Sequence, residues 1–99
     1  MIDGTYAVQI DTPLGKKSGT VTLTASGSRV IAQINAPIIG KQRIEGTARG
    51  SDDFSARGSM RIPLMGKIDY TAEGQVAGDV LTCDISTAKG KMTVRGTRQ

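Results

Sequence analysis

Apolar and polar residues alternate with a period of two through eight short stretches of this chain, separated by Gly, Pro, Asp and Ser clusters. Period two puts successive side chains on opposite faces of an extended strand, so the pattern predicts strands and almost no helix. Tyr6, Val8 and Ile10 face one way and Thr5, Gln9 and Asp11 the other; Val21, Leu23 and Ala25 oppose Thr20, Thr22 and Thr24. Val30, Ala32 and Ile34 form the apolar face of a third stretch, and Ile44, Gly46 and Ala48 that of a fourth. Phe54, Ala56, Gly58, Met60 and Ile62 alternate with Ser55, Arg57, Ser59 and Arg61 in the fifth. In the sixth, Ile68, Tyr70, Ala72, Gly74 and Val76 alternate with Lys67, Asp69, Thr71 and Glu73. Leu81, Cys83 and Ile85, then Met92, Val94 and Gly96, mark the last two. One face is apolar throughout, which describes a sheet with one dry side.

The connections carry a repeat. Pro13-Leu14-Gly15-Lys16, Pro37-Ile38-Ile39-Gly40-Lys41 and Pro63-Leu64-Met65-Gly66-Lys67 recur about every 25 residues, and Ala88-Lys89-Gly90-Lys91 falls in step without the proline. Between them lie short polar turns at Ser26-Gly27-Ser28, Gly50-Ser51-Asp52 and Ala77-Gly78-Asp79, of hairpin chemistry. Four hairpins in succession predict an all-β, eight-stranded antiparallel up-and-down (meander) barrel spanning residues 1–99 as one domain. Its Pro-apolar-Gly-Lys turns would all lie at one end and its polar turns at the other. A two-sheet sandwich needs crossing connections that these short loops do not supply. Inward Gly46, Gly58, Gly74 and Gly96 suit a sharply coiled sheet. On the outer face, a turn at residues 63–66 places Arg61 opposite Asp69 and Arg57 opposite Glu73, predicting a Glu45–Arg57–Glu73 row of solvated charges.

Composition narrows the chemistry. Only 37% of the 99 residues are hydrophobic and only Tyr6, Phe54 and Tyr70 are aromatic, a thin core that closure or self-association would supplement. The net charge of +4 is spread along the chain, and the aromatics share the apolar face, so a nucleic-acid surface is not expected. With no histidine, His-based triads and the usual metal ligands are excluded; neither a metal site nor a cofactor is implied. Asp52, Asp53 and Asp79 share one end and could gather a weak cation, but two of these positions are ordinary turn residues and the plain turn reading outweighs it; Cys83, alone on the apolar face, reads as packing. A single cysteine allows no internal disulfide, the start Met1-Ile2-Asp3-Gly4 lacks signal-peptide features, and no apolar run approaches the ~20 residues of a transmembrane helix; cytoplasmic residence is the expectation.

Two features exceed what a plain barrel needs. Leu14, Ile38, Ile39, Leu64 and Met65 gather aliphatic side chains in the loops of one end, and predict an interface and a homo-oligomer, the alternatives being a lid folded inward over the barrel end or a patch for a partner or membrane surface. Inside, bulky residues such as Ile10, Ile34, Met60 and Met92 lie toward that end, and small ones such as Gly46, Ala56, Gly58 and Ala72 toward the other. An eight-stranded barrel is just wide enough to be filled or to hold one small ligand.

The opening Gly4-Thr5-Tyr6 resembles the Gly-x-Trp start of the first strand in calycins, the superfamily of lipocalins, fatty-acid-binding proteins and avidins, with Tyr in place of Trp. The resemblance implies a barrel closed at one end by that aromatic, with a basic residue of the last strand (Arg95 or Arg98) packed across it. It also implies a small apolar ligand. The leading expectation is therefore a non-enzymatic barrel whose interior takes a small apolar or aromatic molecule, with Tyr6, Leu23, Phe54, Gly58, Tyr70 and Ala72 as its walls. The alternatives are an interaction module that self-associates through the Pro-rich loops, and a cofactor-free isomerase or cyclase using an inward tyrosine.

Overall fold

The computed structural model describes residues 2–12, 15–37, 40–50, 52–62, 66–88 and 90–99, the side chain of Ile62 excepted. Eight strands follow one another: β1 (Gly4–Thr12), β2 (Gly15–Ser26), β3 (Arg29–Ala36), β4 (Gly40–Ala48), β5 (Asp53–Ile62), β6 (Gly66–Ala77), β7 (Val80–Thr87) and β8 (Gly90–Arg98). Each pairs antiparallel with the next, and β8 returns to β1, so the sheet closes into a barrel in meander order. Among the described residues there is no helix, and hence none long and apolar enough to cross a membrane.

Alternation converts directly into burial. Along β6, Ile68, Tyr70, Ala72 and Val76 are buried while Asp69, Thr71, Glu73 and Gln75 are exposed. The apolar faces meet in one core, and among the described residues no polar or charged one is buried in it. The turn chemistry sorts as its spacing predicts. Two-residue turns at Gly27-Ser28 and Gly78-Asp79 join β2 to β3 and β6 to β7. The connections after β1, β3, β5 and β7 lie at the opposite end. Asp52 and Asp53 serve the β4–β5 turn through their backbone: the Arg49 amide donates to the Asp53 carbonyl (2.7 Å) and the Val76 amide to that of Asp52 (2.9 Å).

The charge row differs from expectation. The β5–β6 register pairs Ser59 with Asp69, Arg57 with Thr71 and Arg61 with Lys67, two residues away from the expected pairing. The turn is centred one residue earlier than the expected pairing requires, because β5 runs on to Ile62 and β6 begins at Gly66. A slip of two preserves which face each side chain takes. Asp69 accepts a hydrogen bond from Ser59 Oγ (2.6 Å), and Glu45 pairs with Arg29 and Arg43 at 2.8 Å each instead of with Arg57. The Arg29 hydrogen bond and charge hold the Glu45 carboxyl below its ordinary range, but all three groups are exposed and the cluster contributes little to stability.

Candidate functional site

The polar-turn end of the barrel is shut. Tyr6 is wholly buried, and its hydroxyl donates to the Ile2 carbonyl (2.7 Å) while accepting from Arg98 Nη2 (2.8 Å). The Arg98 guanidinium carbon lies 5.4 Å from the centre of the Tyr6 ring, within cation–π range. Arg98 crosses the barrel mouth closely enough that a Cβ on Gly4 would lie 3.2 Å from its Cδ, so the opening Gly-x-aromatic leaves the arginine its path. Ile2 is 2% exposed and fills the remaining space, and Asp3 Oδ1 accepts from the Ala25 amide. Arg98, not Arg95, is the basic residue at this position; Arg95 is exposed. Sequence reasoning missed Ile2, which precedes the first alternating stretch and carries no periodic signal.

Above this plug lies an apolar cavity of about 40 Å³, bounded by Leu23, Ala32, Ile44, Phe54, Ala72, Cys83 and neighbouring aliphatics. Of the six residues expected to wall a ligand, it brings together Leu23, Phe54 and Ala72. Tyr6 belongs to the plug. Gly58 and Tyr70 are cross-strand partners outside the cavity lining, with the Tyr70 hydroxyl 3.4 Å from where a Gly58 Cβ would stand. Gly58 is exposed rather than inward-buried. The other inward glycines leave little space either. The Phe54 ring lies over Gly74, Val8 and the Ala7 carbonyl over Gly96, and the Ser55 carbonyl over Gly46. They let the sheet coil tightly, and small alanines shape the cavity.

Cys83 is the single titratable residue in the lining; burial first, and the nearby Asp84 charge second, push its thiol up to about 12. It is therefore a neutral, poorly nucleophilic wall group at ordinary pH. Tyr70 is also raised, by burial. Among the described residues no cluster of His, Cys, Asp or Glu could hold a metal. The loop aliphatics Leu14, Ile38, Ile39, Leu64 and Met65, expected to form an interface, lie outside the described residues.

One wall differs from the rest. Neighbouring strands elsewhere pair over six to ten residues, but β4 and β5 pair only from Gly46–Ala56 to Ala48–Phe54. At Gly46 the strands crowd together: a Cβ there would overlap the Ser55 carbonyl and stand 2.9 Å from the Ala56 Cβ. Beyond that point the ladder stops. Outside the same wall runs a groove of about 400 Å³ whose rim carries Arg29, Glu45, Arg49, Arg57 and Glu73.

No family model and no curated protein matches this chain. Two solved structures share its fold. One is a redesigned β-barrel, b11L5F_LGL, with a TM-score of 0.70 and 19% identity over 99% of this chain and 91% of that one. Another is a redesigned β-barrel, mFAP1, bound to DFHBI, with a TM-score of 0.70 and 19% identity over 98% and 94% of the two chains. At this identity the likeness establishes the closed eight-stranded barrel.

Proposed function

We propose that this protein binds a small apolar molecule inside the barrel, between the Tyr6–Arg98 plug and the Pro-rich end. The carrying observation is the apolar cavity itself: a space walled by aliphatic carbon, Phe54 and one protonated thiol. Apolar cavities stay empty of water and take up apolar ligands readily. The redesigned barrel mFAP1, which has the same architecture and is bound to DFHBI, supports the reading. The present space holds only a few heavy atoms, so a ring-sized ligand must move a wall. Phe54 is the single aromatic in the lining, and its ring, resting on Gly74 without a Cβ beneath it, is the side chain we assign to that adjustment.

Binding rather than catalysis fits the lining, which offers no acid or base near neutral pH. The two tyrosines that an isomerase could use stand away from the cavity, and Tyr6 has its hydroxyl committed to Ile2 and Arg98. We also read the chain as calycin-like, on the packing of Arg98 across the first-strand Tyr6. Titration with fluorobenzene, followed by ¹⁹F NMR, tests the proposal. Saturable binding is expected, lost in Ala72→Leu, which fills the cavity, and strengthened in Phe54→Ala. Equal binding by all three proteins would overturn it.

A further inference from the structure

Resting on that reading, we propose that the ligand enters and leaves through the β4–β5 wall rather than through the plugged polar-turn end of the barrel. Three observations converge on this wall. First, the ladder there is broken: among the described residues no ladder pairing joins 40–45 to 57–62, although both segments are strand. Second, the cavity and the outer groove meet at this place, because Gly46, Ala56 and Ala72 line both. These three small residues stand between the apolar interior and the outer groove. Third, Gly58 continues the inward series of β5 yet is exposed.

Side chains hold the seam where backbone bonds do not. Ile44 and Met60, inward-facing on the two strands beyond the last ladder pair, are each 6% exposed, and Gln42 Nε2 donates to the Arg61 carbonyl across the gap. Rotamer shifts of such groups are fast and break no ladder, whereas parting any other pair of strands breaks several backbone bonds at once. The polar-turn end offers no rival path, being plugged by Tyr6, Ile2 and Arg98. Gly46 supplies the pivot: with the strands in tight contact at Gly46–Ala56, the segments beyond can separate without disturbing the ladder below.

Pinning the seam tests this. Glu45 and Arg57 are outward-facing and would form the next pair of the register beyond Gly46–Ala56. In Glu45→Cys/Arg57→Cys, oxidation should slow fluorobenzene exchange, read by ¹⁹F exchange spectroscopy, at least tenfold while leaving affinity nearly unchanged, and reduction should restore it. The buried Cys83 stays out of this chemistry. A control pair across a complete ladder, Thr82→Cys/Arg95→Cys between β7 and β8, should change nothing. Amide exchange provides a readout that needs no ligand. Those amides of residues 41–45 and 57–61 that point into the seam, rather than into the β3–β4 or β5–β6 ladder, should exchange at least tenfold faster than those paired between β6 and β7. Unchanged probe exchange on oxidation, with binding intact, would overturn the seam alone, as would equal protection of its amides. No bound probe in either redox state would overturn the interior site and the seam together.

Discussion

The plugged end and the β4–β5 wall close the same barrel by different means. At the plug, a buried ring, two hydrogen bonds to one hydroxyl, a guanidinium across the ring and the Ile2 side chain act on one small region. At the seam, three ladder pairs give way to aliphatic packing and a glutamine side chain. The first arrangement resists opening because several contacts must fail together. The second opens locally, since packing between mobile side chains is lost piece by piece. Closure of a sheet fixes the fold, but it does not make every wall equally firm.

Truncation at the two places should expose the contrast. Tyr6→Ala removes the ring that fills the plug and should cost about 3–5 kcal/mol in chemical denaturation. That is a large share of the roughly 5–15 kcal/mol that holds a domain of this kind folded. Arg98→Met keeps the length but loses the charged donor to the Tyr6 hydroxyl, for about 1.5–3 kcal/mol. Gln42→Ala, at the seam, should cost about 1 kcal/mol or less and still speed fluorobenzene exchange. If Gln42→Ala proved as damaging as Tyr6→Ala, the two walls would not differ in the way described.

The cavity thiol gives a smaller effect with a definite sign. An unfolded cysteine releases its proton near pH 8.5, whereas folded Cys83 keeps it up to about 12. Above pH 8.5 the native state therefore binds more protons than the unfolded one, and stability falls as pH rises through that window. Tyr70 adds to the loss from the upper part of the same range. Cys83→Ala should flatten the alkaline decline in urea titrations. Native protein at pH 8 should leave a thiol reagent unreacted until denaturant is added; rapid native labelling would show that the cavity wall opens to water.

The strands, their order and their facing were legible because alternation and turn residues repeat eight times without conflict. Leu23, Phe54 and Ala72 were legible as cavity walls for the same reason. Tyr6 and Tyr70 were not separable from them, because alternation tells which face a residue takes but not its height along a tilted strand, which depends on the stagger of the closed barrel. The β5–β6 slip has a related cause: an apolar loop with Pro63 at one side and Gly66 at the other fits turns of more than one centre. The seam left no trace in the pattern, since Ile44 and Met60 alternate as regularly as residues in paired strands and Gly46 is one of four inward glycines.

Methyl-resolved NMR under xenon pressure tests the interior site most directly, because xenon enters dry apolar cavities and needs no side chain to move far. Saturable shifts are expected at Leu23, Ala32, Ala56 and Ala72, with the exposed methyl of Ala77 unaffected. Weak, non-saturating shifts spread over exposed methyls, with none at those four residues, would contradict a ligand site inside this barrel.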